Sequence, residues 1–351
     1  MWNPFNWLFF LLSQVYGLFV WIRNQLFEIG ILPQTKVNVA VVSVGNLTAG
    51  GTGKTPILML LLQWAHERGL HSAVVTRGYG SGIRQPTMVK LPRPDPNVFG
   101  DEPSMIAEKF PLVPVIISPS RVKGAKYVET NFPHVDVIFL DDGFQHRYLR
   151  RDLDIVVIDT ADKIENLKLL PHGRGREPLK SLARADFVIL NKVNLASKYD
   201  VVQFQSEVDR FRKLKSVCGQ SSYEIDGLLH VTNGTKQDEL HGRVLIVSGL
   251  GNPEGFERSV KDFLGEKTET RTLRFSDHHR YQMQDIKQML VAAHAWEANH
   301  IVFSEKDAIK LRQLLFDQVF DLKINFWSTS LSVQMDGGQK VLKEKLNAIL
   351  G

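Results

Sequence analysis

At 351 residues, 43% hydrophobic and 23% charged, the chain is long enough for two ordinary domains. It has no low-complexity tract and no repeat, which excludes a disordered or fibrous protein. A single cysteine, Cys218, excludes an internal disulfide framework and fits a reducing compartment. Net charge is +5 and the sequence pI about 9.1, which suits an anionic partner; with basic residues dispersed and no nucleic-acid motif, nucleic acid is not expected.

The first element is a long apolar run, 5-FNWLFFLLSQVYGLFVWIRNQLFEIGIL-32, with Trp7, Trp21 and several phenylalanines. No basic residue precedes it and no small-residue cleavage site follows, so a signal peptide is not expected. A transmembrane span needs about 20 apolar residues, and Ser13, Gln14 and Gly17 interrupt this run. Its aromatics and Arg23 favour the bilayer interface. The expectation is a helix lying in the leaflet; a helix packed on a domain is the alternative, and would normally show a polar face.

Next comes 39-VAVVSVGNLTAGGTGKTPILMLLLQWA-65. An apolar, β-branched run from Val39 to Val44 predicts a buried strand, and the amphipathic run from Ile57 to Ala65 a helix. Between them, Thr48, Ala49, Gly50, Gly51, Thr52 and Gly53 form a loop whose backbone N–H groups can cradle a polyphosphate at the positive end of the helix. Lys54 would reach the β- and γ-phosphates and the Thr55 hydroxyl would ligate Mg2+. The full phosphate-loop pattern is G-x-x-x-x-G-K-[ST], and Thr48 stands where its first glycine belongs. Pro56 suits the first helical turn, where a missing N–H costs little.

Strand-like runs then alternate with helical patterns to about residue 215: 72-SAVVTRGYG-80, 113-VPVIIS-118, 135-VDVIFLDD-142, 154-DIVVIDT-160 and 186-DFVILNK-192. That alternation predicts a mostly parallel sheet covered on both faces, with ligands at the carboxyl ends of its strands. In 99-FGDEPSMIAEKF-110, Asp101 precedes an amphipathic helix and reads equally as an N-cap or as the aspartate a kinase needs at the attacking hydroxyl. Asp141 and Asp142 end an apolar strand, where a carboxylate serving Mg2+ on an ATP phosphate sits; which one touches the metal is not readable. Gln145, His146 and Arg147 follow closely. The loop 171-PHGRGREPL-179 offers Arg174 and Arg176 as anion clamps or as solvated charges. The run 188-VILNKVN-194 is near the guanine-reading N-K-x-D pattern, but Asn194 replaces the aspartate, so a buried strand ending in a polar loop is expected.

Short alternating pieces with an Asn-Gly turn, 220-QSSYEIDGLLHVTNGT-235, predict a hairpin linker. A second α/β block begins at 243-RVLIVSGLGNPEGFERSV-260 and continues through 300-HIVFSEKDAIKLRQLL-315 and 324-INFWSTS-330. Within it, 275-FSDHHRYQMQDI-286 sets Asp277, His278 and His279 before a helix. Without Cys or a distant His these make a poor zinc site, and a histidine paired with a catalytic carboxylate is the better reading.

Seven segments together resemble the tetraacyldisaccharide 4'-kinase family: 44-VGNLTAGGTGKTP-56, 76-TRGYG-80, 100-GDEP-103, 141-DDGFQH-146, 248-SGLGNPEGF-256, 276-SDHH-279 and 304-SEKDAIKL-311. Thr48 belongs to that family's form of the loop. The resemblance implies an α/β fold: a P-loop NTPase-like, mostly parallel sheet, plus a smaller second α/β domain joined by a short β linker. The corresponding boundaries are a membrane-associated helix over 1–32, a kinase domain over 36–216, a β-hairpin linker over 217–241 and a C-terminal domain over 242–351.

It also implies ATP with Mg2+, and transfer of the γ-phosphoryl to the 4'-hydroxyl of a tetraacyl glucosamine disaccharide 1-phosphate in lipid A biosynthesis. The partners implied are that lipid A disaccharide precursor and the phospholipid surface on the cytoplasmic face of the inner membrane, with the protein a monomer. Lys54 and Thr55 would serve the nucleotide, Asp141 and Asp142 the metal, and Asp101 with His278 (or, one residue along, His279) would form the catalytic pair. On these boundaries the pair lies in different lobes. Substrate-side candidates are Arg77, Tyr79, Glu102, Arg121, Gln145, His146 and Arg176. A P-loop ATPase that moves a membrane partner is the alternative; it would turn over ATP without lipid.

Overall fold

The computed structural model describes residues 4–78, 81–213, 216–277, 279–316 and 324–350. The chain opens with α1 (Pro4–Glu28), then β1 (Ala40–Gly45), α2 (Lys54–Glu67), β2 (Ser72–Thr76) and β3 (Thr87–Met88). There follow α3 (Pro96–Phe99), α4 (Asp101–Lys109), β4 (Val115–Ile117), α5 (Arg121–Asn131), β5 (Val137–Asp141), β6 (Leu153–Asp159), β7 (Phe187–Asn191) and α6 (Lys198–Phe211). Two strands of a hairpin, β8 (Val217–His230) and β9 (Lys236–Gln237), lead to β10 (Val244–Ser248), α7 (Pro253–Leu264), β11 (Thr270–Arg274) and α8 (Met283–Ala295). The chain closes with β12 (His300–Phe303), α9 (Glu305–Phe316), β13 (Asn325–Gly337) and α10 (Gln339–Leu350).

These elements divide into two compact units. The first comprises Met1–Lys90, Phe110–Tyr223 and Val333–Gly351, the second Leu91–Lys109 and Glu224–Ser332. Two segments therefore fold away from the boundaries expected from sequence. Residues 91–109 were expected inside 36–216, yet α4 packs on α9 of the second unit. Ion pairs Lys109–Glu305 at 3.6 Å and Glu108–Arg312 fasten it there, and Arg93 lies 4.9 Å over the Phe316 ring. Residues 333–351 were expected inside 242–351, yet α10 packs on β6 of the first unit, with Lys343 4.6 Å over the Trp64 ring.

In the first unit the strand order runs β3-β4-β2-β5-β1-β6-β7-β8. Every pairing is parallel except β3 with β4. Residues of β2, β5 and β7 are buried throughout, as strands covered on both faces must be. β1 lies between β5 and β6, in a register that sets Val44 beside Asp141. The loop after β1 and the carboxylates after β5 thus leave the sheet side by side, at its carboxyl edge. Gly45 allows this: a Cβ there would come within 2.5 Å of the Phe144 Cβ.

The second unit repeats the layering on a smaller scale. β11, β10, β12 and β13 pair in parallel around Val244, Ile246 and Val302, while α8 and α9 cover a core of Ile286, Met289, Phe303, Leu311 and Phe326. The expected hairpin is present, but β8 is one strand of 14 residues rather than a series of short pieces. It turns through Asn233 and Gly234, whose φ is 72°, and pairs Leu228 with Gln237. Alternating polar residues along it had suggested breaks.

α1 is sided. Ser13, Val20 and Phe27 are buried, whereas Trp7, Phe9, Phe10, Leu12, Val15, Leu18, Phe19 and Trp21 are exposed. Among the described residues, no helix is long and apolar enough to cross a membrane.

Candidate active site

The glycine-rich loop is held from below by buried amides. Asn46 Nδ2 donates to Thr52 Oγ1 at 2.8 Å, and Asn191 Nδ2 donates to the Thr52 carbonyl at 2.9 Å. Ser221 Oγ fixes the Asn191 amide at 2.8 Å, and Tyr223 Oη donates to the Gly53 carbonyl at 2.6 Å. Gly53, at φ 82°, opens α2 in the left-handed region; a Cβ there would lie 2.3 Å from Tyr223 Oη and 2.4 Å from Asn191 Nδ2. Only glycine fits. Gly50 also has positive φ, the Ala49 N–H donates to the Arg174 carbonyl at 2.7 Å, and Thr48 forms a bridge with Gly175. Around Gly51 a Cβ would meet nothing within 4 Å, so the loop's crest is open. Lys54 and Thr55 start α2, where the helix dipole favours an anion.

Facing the loop, Asp142 takes the left-handed conformation at φ 51°, a costly one for a non-glycine residue. Its carboxylate accepts a two-pronged hydrogen bond from Arg176 at 2.7 and 2.8 Å and lies 3.6 Å from Lys54 Nζ. Burial works to raise the Asp142 carboxyl, but Arg176, then Lys54 and Arg121, override it and hold the group far below the usual carboxylate range. Asp141 is buried, accepting from Thr76 Oγ1 at 2.9 Å, and its carbonyl takes Arg121 Nη2 at 3.0 Å. Burial lowers the Arg121 guanidinium to about 10. Burial, together with Arg121, pushes His146 down to about 4, so it is neutral at physiological pH. Arg77 is exposed and adds its charge to Arg121 and His146. Gln145 donates to the Asn46 carbonyl at 2.8 Å, which ties it to the loop's support.

α1 reaches this site directly. Tyr16 Oη donates to the Arg176 carbonyl at 2.9 Å, Asn24 donates to Glu177 at 3.1 Å, and Arg23 donates to the Gln145 carbonyl. The helix thus packs on the domain through a polar seam, as the alternative expected, and leaves an apolar face exposed.

Asp101 and Glu102 lie in the second unit, in the first turn of α4. Asp101 is inside the helix, not ahead of it as an N-cap would be, and its carboxylate lies 3.3 Å from Lys310 Nζ. Glu102 is 4.0 Å from Lys306. His279 shares the second unit, so the expectation that Asp101 and the histidine run sit in different lobes is corrected by the packing of α4 on α9. His279 Nε2 is 3.0 Å from Asp285 in the first turn of α8, and its ring packs on Phe275 and Tyr281. His278 and Tyr79 lie outside the described residues.

Asn191, Lys192, Tyr223 and Lys310 were given no role from sequence. The run 188-VILNKVN-194 is a buried strand, as expected, but its end also serves the loop. Lys192 Nζ pairs with Asp159 at 2.5 Å and reaches the Gly51 carbonyl at 3.4 Å. The partial likeness to N-K-x-D was the signal that could have found Asn191 and Lys192.

A parallel sheet, a strand–glycine loop–helix with Lys54 at the helix start, and an ionised carboxylate at the adjoining strand end define a P-loop kinase fold. The family model for tetraacyldisaccharide-1-P 4'-kinase matches residues 5–351. A tetraacyldisaccharide 4'-kinase of Bdellovibrio bacteriovorus is 37% identical over 343 residues, covering 97% of this chain and 98% of its own. One from Halothermothrix orenii is 32% identical over 345 residues, covering 93% and 88%. The crystal structure of LpxK from Aquifex aeolicus in complex with ATP matches with a TM-score of 0.73 at 27% identity, over 97% of this chain and 98% of that one. The chain belongs to the tetraacyldisaccharide 4'-kinase family, a family of phosphotransferases.

Proposed function

We propose that the protein transfers the γ-phosphoryl of ATP to the 4'-hydroxyl of a tetraacyl glucosamine disaccharide 1-phosphate, at the cytoplasmic face of the inner membrane. The observation that carries this reading is the open glycine loop with Lys54 against an Asp142 held ionised by Arg176, in a chain matched end to end by 4'-kinases. Two cations share one carboxylate there, so the cluster keeps a positive surplus for phosphate oxygens. The loop's N–H groups and Lys54 would bind and orient the β- and γ-phosphates, and Arg176 would stabilise charge on the transferred group.

Mg2+ suits the donors present. Thr55 offers a hydroxyl at the start of α2, and Asp141 and Asp142 offer carboxylates at the end of β5, all hard oxygens. Among the described residues no group of three or more His, Cys, Asp or Glu could hold a metal alone. Thr55 with Asp141 or Asp142 would hold the ion, which would neutralise phosphate charge. Asp101 would accept the proton of the 4'-hydroxyl and His278 would orient that carboxylate. The exposed aromatic face of α1 supports seating in a leaflet; a chain lacking residues 1–30 should no longer sediment with anionic vesicles, and full sedimentation would place the anchor elsewhere.

The test is to incubate the purified protein with γ-labelled ATP, Mg2+ and the tetraacyl disaccharide 1-phosphate in detergent micelles. Label should move into the lipid. ATP hydrolysis with no lipid label would contradict the proposal and leave an ATPase.

A further inference from the structure

The run 304-SEKDAIKL-311 carries family likeness but no role in the reaction as described so far. It forms the start of α9, and one of its side chains ends at Asp101. Lys310 Nζ lies 3.3 Å from Asp101 Oδ2 and 3.7 Å from Asp307 Oδ1, and donates to the His279 carbonyl at 3.2 Å. Its ammonium also sits 5.7 Å from the centre of the Tyr281 ring. The Lys310 side chain is only 8% exposed and that of Asp307 not at all. All of these groups belong to the second unit.

Asp307 cannot follow the lysine if it moves. One of its oxygens accepts from Ser304 Oγ at 2.7 Å and from the Gly249 N–H at 3.1 Å, which fixes the carboxylate to the start of α9 and to the loop after β10. An ammonium has three N–H groups, and here they face a fixed carboxylate, the Asp101 carboxylate and a backbone carbonyl. The flexible stem of Lys310 is thereby set in one position. That position ties the first turn of α4 to the loop between β11 and α8, the loop that bears the Asp-His-His run.

A structural cross-link alone is a poor explanation for this arrangement. Burying a lysine between carboxylates costs desolvation that well-packed apolar side chains would avoid.

We propose that Lys310 is a positioning residue for phosphoryl transfer, holding the Asp101 carboxylate and the backbone of the histidine loop in fixed register. The inference rests on the reading of Asp101 as the proton acceptor. On this reading Lys310 acts through Asp101 and the histidine loop, and not on the nucleotide or lipid directly. Its loss should lower kcat and leave the KM for ATP in place, because misplacing a reacting group by about 1 Å can cost roughly a hundred-fold.

The experiment compares Lys310→Met, Lys310→Arg, the double variant Lys310→Met/Asp307→Asn and Asp101→Ala in full-length protein. Measured are kcat, the KM for ATP and the thermal midpoint. Lys310→Met alone removes a positive charge from beside two carboxylates, so the double variant removes one of the two negative charges and protects the fold. A folded double variant with kcat lower by roughly a hundred-fold, an ATP KM within about twofold and partial recovery in Lys310→Arg is the expected result. A folded double variant with near-normal kcat beside an inactive Asp101→Ala would overturn the positioning role and leave Asp101 as acceptor. An active Asp101→Ala would instead remove the acceptor reading itself, and the role of Lys310 with it. Failure of the double variant to fold would assign Lys310 to stability and equally overturn the proposal.

Discussion

Two charged clusters in this molecule are built on opposite plans. Beside the phosphate loop one carboxylate, Asp142, is shared by two cations, Arg176 at 2.7 Å and Lys54 at 3.6 Å. In the second unit one cation, Lys310, is shared by two carboxylates, Asp101 at 3.3 Å and Asp307 at 3.7 Å. The first sets two cations around one carboxylate and suits a polyphosphate; the second sets two carboxylates around one lysine. Each pins its minority charge in place. Asp142 is held on a strained backbone at φ 51°, and Lys310 is held by Asp307 and a carbonyl. The lesson is that the ion pairs here fix the geometry of the charge at their centre.

The comparison breaks most readily at Lys54. Lys54→Ala removes the cation proposed to reach the β- and γ-phosphates, and turnover should fall on the order of hundreds-fold or more with the fold intact. Near-normal turnover would end the phosphate-loop assignment. Asp142→Asn is the next sharpest cut, since asparagine tolerates the left-handed backbone but brings no negative charge to Arg176 or Lys54. Turnover should drop by about ten- to a hundred-fold. The pH dependence of stability checks the same residue. The folded carboxyl is lowered, so its contribution is complete above the ordinary unfolded value of about 4 and is lost as pH falls below that towards the lowered value. The gap in thermal midpoint between wild type and Asp142→Asn should therefore be full at neutral pH and shrink below about pH 4. A gap that persists unchanged in acid would deny the ionised pair. Asn191→Ala is the mildest: it frees the Thr52 carbonyl and the Ser221 hydroxyl, should cost about 1–3 kcal/mol in denaturant unfolding and should weaken ATP binding several-fold. Calorimetric titration with ATP measures the second effect, and unaltered affinity would show the loop to be self-supporting.

The contrast extends to what the sequence displayed. Strand, glycine loop and helix run consecutively from Val39 to Ala65, so the phosphate side could be read as one local pattern, and the strand runs found their places in the parallel sheet. The Asp142–Arg176 fork joins residues 34 apart and Lys310 reaches Asp101 from far along the chain; no local spacing encodes such meetings. The same reason hid the membership of residues 91–109 in the second unit. A helix after a strand reads as part of the local α/β alternation, and only the side chains of α4 and α9, brought together, reveal the allegiance. Asn191 was overlooked because a buried strand explains an apolar run completely until its last side chain is followed.

If binding belongs to the first cluster and chemistry to the second, Asp101→Ala should separate them. The measurement is the ATP dissociation constant beside the single-turnover rate of label transfer from ATP to the disaccharide lipid. The account predicts an affinity within about twofold of wild type and a transfer rate lower by roughly a hundred- to ten-thousand-fold. An Asp101→Ala protein that transfers phosphate at the normal rate, or that loses ATP affinity in step with its rate, would contradict it.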